Sequence, residues 1–144
     1  MMLDRLRGFT LTLFAVGASA CSFTADAASD DPPSCPIYET RAWAASVEAT
    51  DTGAKPFTLQ VRGTVDLPNP SYEITFRPGP MDRRQPPGLT ILLDAKAAEG
   101  VALQVIDQRQ VEFGLETHVS DFHTVRVVCG ERVLSEFSNV SVAD

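Results

Sequence analysis

The chain has 144 residues, 44% of them hydrophobic, and carries a net charge of −7 at pH 7. That length is enough for one ordinary core. Such acidity makes nucleic acid a poor partner, because its binding depends on neutralising phosphates. The first element is apolar. Arg5 and Arg7 precede the run Phe9–Val16, which is too short to span a bilayer, and the small residues Ala18-Ser19-Ala20 stand before Cys21. This pattern predicts a secretory signal peptide over residues 1–20. A buried core helix is the alternative for Phe9–Val16, but no second amphipathic helix is present for it to pack against.

Ala18-Ser19-Ala20-Cys21 resembles the lipobox of bacterial lipoproteins, although a leucine is usual where Ala18 stands and Asp4 adds an acid to the leading residues. The resemblance implies diacylglycerylation of the Cys21 thiol, cleavage before it and acylation of the new amine. Several acyl chains anchor firmly where one binds only marginally. Ser22 in the next position implies forwarding to the outer membrane, with the domain facing the periplasm. Cleavage after Ala20 without lipid, giving a soluble periplasmic or secreted protein, is the alternative. Cysteine parity bears on the choice, since an exported chain meets an oxidising compartment. With Cys21 acylated, Cys35 and Cys129 remain as one disulfide. Plain cleavage after Ala20 leaves an odd thiol, whereas cleavage after Ala27 restores parity but lies far from the apolar run.

Ser22–Ser34 is small, polar and acidic with two prolines, so residues 21–34 are expected to form a lipidated cysteine and a flexible tether. Its random-coil reach is on the order of 20 Å. Residues 35–144 then make one domain. Loss of Arg5, Arg7 and Asp4 with the leader takes the net charge from −7 to about −8.

The dominant period in that domain is two. Trp43, Ala45, Val47 and Ala49 alternate with polar or small residues; a helix over Arg41–Ala49 is the alternative, but the Thr50-Asp51-Thr52-Gly53 turn favours a strand. Phe57, Leu59, Val61, Val65 and Leu67 share one face, with Gly63 in register. Tyr72, Ile74 and Phe76 follow, then Leu89, Ile91, Leu93 and Ala95, with Leu92 indicating burial on both sides. Val101, Leu103 and Val105 predict a further strand, as do Val111, Phe113 and Leu115. Val125, Val127 and Cys129 lead through a Gly130-Glu131 hairpin turn into Val133–Phe137. Proline clusters at Pro68–Pro70, Pro78–Pro80 and Pro86-Pro87 mark exits from the sheets. Seven or eight short strands without a long helix predict an all-β fold, an antiparallel β-sandwich of immunoglobulin-like type. A Cys35–Cys129 bridge would stabilise it by about 4 to 5 kcal/mol in the chain-entropy model. It does not occupy the position of the immunoglobulin core bridge, so Trp43 is expected to be an ordinary core aromatic.

Signs of chemistry are few. His118, Asp121 and His123 are the densest set of potential metal ligands, yet they sit on no helix or knuckle, and no metal or cofactor is expected. There is no Gly-x-Ser-x-Gly elbow, His-Glu-x-x-His motif or glycine-rich phosphate loop, so the chain is expected not to be an enzyme. The stretch Pro78–Gly88 (PGPMDRRQPPG) is long for a hairpin and puts Met81, Arg83 and Arg84 together on an acidic domain. Prolines stiffen a loop before binding, and methionine and arginine are enriched at interfaces. The simpler alternative is that these prolines only guard a sheet edge. Asn69-Pro70-Ser71-Tyr72 resembles the Asn-Pro-Thr-Thr-Gly-Tyr loop of chagasin-type cysteine-protease inhibitors, lacking the threonine pair and the glycine. The expected role is therefore a non-catalytic envelope lipoprotein that binds a protein partner or supports the envelope. A loop-based protease inhibitor acting through Asn69 and Tyr72 is the alternative, and a metal-dependent enzyme at His118, Asp121 and His123 is a third reading.

Overall fold

Period-two alternation becomes seven strands in a computed structural model that describes residues 34–51 and 53–142. The expected signal peptide, Cys21 and nearly all of the tether lie outside the described residues. Strands β1 (Glu39–Ala49), β2 (Phe57–Leu67) and β5 (Asp107–Thr117) form one sheet in the order β1-β2-β5. The other sheet, β3-β4-β6-β7, contains β3 (Tyr72–Met81), β4 (Gly88–Ala97), β6 (Asp121–Cys129) and β7 (Arg132–Ser141). No helix among the described residues is long and apolar enough to cross a membrane.

The inner faces meet in one core. Leu59, Val61, Val65 and Leu67 of β2 are buried as their alternation requires, opposite Leu89, Ile91 and Leu93 of β4 and Phe122, Val125 and Val127 of β6. Each fully buried aliphatic side chain of this kind contributes about 1.5–3 kcal/mol. Along one flank an isolated parallel bridge, Val47 to Val142, links β1 to the chain just beyond β7. Along the other, the rings of Phe76 on β3 and Phe113 on β5 meet with centroids 5.6 Å apart. Segment Arg41–Ala49 is a strand, not a helix, and it bulges between Arg41 and Ala44, with Ala42 at φ 53°. The extra residue turns Trp43 over Gly63, where a Cβ would lie 2.3 Å from Cδ2 of the indole. Trp43 is half-buried against the core, so it is a packing residue.

The disulfide joins Cys35 and Cys129, whose Cα atoms are 5.3 Å apart. It fastens the segment before β1 to the end of β6, and Ile37 is buried in the core beside it. Arg132 completes the fastening by donating to the carbonyl oxygens of Ile37 (2.7 Å) and Tyr38 (3.4 Å).

Three expectations are corrected. Residues Val101–Val105 are not a strand, and Val101 and Leu103 are 106% and 75% exposed. Gly100, at φ 118°, turns the chain after β4, and the Val105 N–H donates to Leu103 O, so alternation here finds no ladder to join. The pairing is not wholly antiparallel: β4 and β6 run parallel from Gly88–Thr124 to Leu92–Val128. Strand β5, in the other sheet, serves as the crossover that a parallel pair needs. Finally, Pro78–Met81 belongs to β3 and not to a loop. This strand lies at the sheet edge and carries a bulge between Pro78 and Met81, where proline's missing donor costs no ladder bond.

Candidate functional site

An extended β3 sets the two ends of the domain. At its start lie the Pro68–Ser71 turn and the 98–106 loop, and on the same side of the domain, from a level near Arg77, lie the β6–β7 hairpin and Cys35, through its bond to Cys129. This is called the tether end, because the expected tether of residues 21–34 precedes Cys35 in the chain. At its finish, the far end, lie the β1–β2 turn, the β3–β4 loop Asp82–Pro87 and the β5–β6 connection His118–Ser120.

The Asp82–Pro87 loop is organised by its first residue. Asp82 N donates to Gly88 O at 2.9 Å, and Gly88 N returns a 2.7 Å bond to Asp82 Oδ1. Arg84 N donates to the same Oδ1 at 3.1 Å, which fixes the turn from inside. A Cβ on Gly88 would stand 2.8 Å from Asp82 Oδ2, so any larger residue there must displace the carboxylate. The bond from Gly88 N holds the Asp82 carboxyl below its ordinary range against a smaller opposing effect of desolvation, with help from Arg84 and His123. Pro87 O accepts from His123 N at 2.9 Å, which ties the loop to β6.

This arrangement leaves Arg83 and Arg84 exposed on a braced loop, next to the exposed Met81 that ends β3. Arg84 lies 3.9 Å from Asp82 in a solvent-exposed pair. Arg83 makes no ion pair among the described residues. Two open depressions flank the loop. One, of about 370 Å³, lies between Met81 and Arg84 on one side and Thr124 and Arg126 on the other. Arg126 is already engaged there by Glu136 at 2.7 Å. The second, of about 440 Å³, separates the loop from His118–Asp121. Both are shallow contact surfaces and not enclosed chambers for a small molecule.

His118, Asp121 and His123 therefore border the same surface as Met81, Arg83 and Arg84. Among the described residues no three His, Cys, Asp or Glu side chains are grouped so that they could hold a metal ion. Asp121 accepts from Ser120 Oγ at 2.7 Å, and His123 contributes its backbone N–H to the loop.

Asn69 and Tyr72 stand apart, at the tether end. Asn69 Oδ1 accepts from Ser71 N at 3.0 Å and from Ser71 Oγ, which closes a tight Asx turn. Arg109 of β5 donates to Tyr72 O at 2.6 Å and to Pro70 O at 3.3 Å. Tyr72 itself packs against the core. The expected contact residues thus form two separate sites. Sequence reasoning missed Asp82 and Arg109 as the residues that brace these turns. An aspartate opening a loop and a glycine closing it six positions later was the available signal for Asp82.

Comparison of the chain with protein-family models, curated proteins and solved structures finds no match.

Proposed function

We propose that the chain is a non-catalytic bacterial envelope lipoprotein, anchored through acylated Cys21, whose domain binds an envelope protein at its far end. The observation that carries this reading is the polarity of the domain. Cys35, which follows the expected tether, is bonded at the end of β6, where Val128 is level with Leu92 and Arg77, while the Met81–Arg84 surface lies beyond the other end of that β4–β6 pairing. A domain held by its tether end presents Met81 at the end of β3, and Arg83 and Arg84 on the loop braced by Asp82, away from the membrane. The single Cys35–Cys129 bridge supports export, and it leaves Cys21 as the odd cysteine that acylation would use.

The domain is best described as a variant of the immunoglobulin-like sandwich. Seven strands in sheets of three and four support that kinship. The parallel β4–β6 pair departs from the antiparallel pairing of that class. The protease-inhibitor alternative draws less support, since the Asn69–Tyr72 turn is short, clamped by Arg109 and at the tether end.

Photo-crosslinking residues installed at Arg83 and at Asn69 test the assignment in intact cells. A discrete partner captured from position 83 and not from position 69 is the expected result. Capture of a papain-like protease from position 69 would overturn it in favour of the inhibitor.

A further inference from the structure

Exposed aliphatic surface is distributed unevenly over this domain. Seven large hydrophobic residues are exposed among the described residues, and six of them (Tyr38, Val101, Leu103, Val105, Ile106 and Val133) are at the tether end. Only Met81 is at the far end. Singly scattered exposed apolar residues need no explanation, but a concentration at one end does. Four of the six occupy the 98–106 loop, where Val101 is 106% and Leu103 75% exposed, with Val105 and Ile106 above half.

We propose that the 98–106 loop, with Tyr38 and Val133 across the same end on the β1–β7 flank, is a membrane-contacting surface that rests in the bilayer interface to which Cys21 tethers the domain. The inference depends on the lipoprotein reading. The occupant is argued from where the chain outside the described region rejoins the domain. Residues Ser22–Ser34 link Cys21 to Cys35, a reach on the order of 20 Å. Ser34 and Pro36 then border a small depression with Lys96, two residues from the start of the loop. Thus the tether that would bring the domain to a membrane attaches beside its most apolar exposed segment. Tyrosine, with an apolar body and polar tip, suits the interfacial depth. Irregular backbone does not enter hydrocarbon, so contact is confined to the headgroup and upper acyl region. Glu99 and Glu131 at this end, with the acidity of the whole domain, oppose attraction to anionic lipid. The contact is therefore driven by apolar burial and is insensitive to salt.

The test uses the mature protein, acylated at Cys21, reconstituted in phosphatidylethanolamine–phosphatidylglycerol vesicles. An environment-sensitive dye is attached at Leu103→Cys, at Val105→Cys, or at Gln85→Cys on the far end. Dye at 103 and 105 is expected to shift to the blue and to be quenched by lipids carrying a nitroxide near the headgroup, whereas dye at 85 is not. Vesicle co-flotation without quenching at 103 and 105 would overturn the loop contact and leave the anchor intact. Failure to co-float would remove the anchor, and the inference with it. Dye at 103 that is shielded without vesicles would overturn the proposal in favour of an interface between copies. In a second arm, unacylated Cys21→Ser protein should lose its residual vesicle association at least tenfold when Val101, Leu103, Val105 and Ile106 are all replaced by serine. Equal association of parent and quadruple variant would count against the proposal.

Discussion

Gly63→Ala tests the packing of this fold where an added methyl would meet the closest neighbours of any glycine described. The added methyl would stand 2.3, 2.4 and 2.7 Å from three atoms of the Trp43 ring, where ordinary contact needs more than 3.4 Å. The ring must therefore retreat by about an ångström, and it has little freedom to do so. The Arg41–Ala44 bulge aims it, and its Nε1 is already buried without a hydrogen-bond partner. Overpacking of this kind costs about 1–3 kcal/mol, and the depth of this clash places Gly63→Ala near the upper limit. For a domain of this size that is roughly a 10–15 °C fall in Tm. Urea unfolding followed by far-UV circular dichroism measures the loss. Fluorescence of Trp43, the only tryptophan, reports the displaced ring independently. The decisive comparison is a double-mutant cycle with Trp43→Leu, in which Gly63→Ala should cost less than about 0.5 kcal/mol because the clashing ring is gone. An equal cost in both backgrounds, or no cost in the parent, would refute the assignment of Gly63 as the seat of the indole.

Reduction of the Cys35–Cys129 bridge, or its replacement by two serines, should lower stability by about 4 to 5 kcal/mol, read as a displaced denaturation midpoint. Arg132→Ala should cost about 1–2 kcal/mol, because the carbonyls of Ile37 and Tyr38 lose a charged donor; an unchanged midpoint would contradict that clamp. The carboxyl of Asp82 should titrate below its ordinary value of 3.8 when followed by NMR. Because the folded value is depressed, its contribution is present above the ordinary value of 3.8 and is lost as pH falls through the lower folded value. Asp82→Asn should make the Arg84 and Gly88 amides exchange faster at neutral pH without moving the core amides.

Strand identity was largely legible because burial on one face imposes period two, as at Leu59, Val61, Val65 and Leu67. The same rule misled at Val101–Val105, since alternation states what a segment could bury and not whether a ladder is available to it. The parallel β4–β6 pair was beyond reach, because partner choice depends on how β5 crosses between sheets and no local residue encodes it. Pro78 and Pro80 looked like loop residues; an edge strand with a bulge accepts them equally well. Of the candidate contact residues, Met81, Arg83 and Arg84 do share one surface. Their separation from Asn69 and Tyr72 became visible only once β3 was known to run unbroken between them.

The intact mass of the natural product decides whether this domain lives on a membrane. A chain that begins at Cys21, carries acyl chains there and is two hydrogens lighter for the Cys35–Cys129 bond is the expected species. A chain that begins after Ala20 or Ala27 without added lipid would contradict the anchored reading.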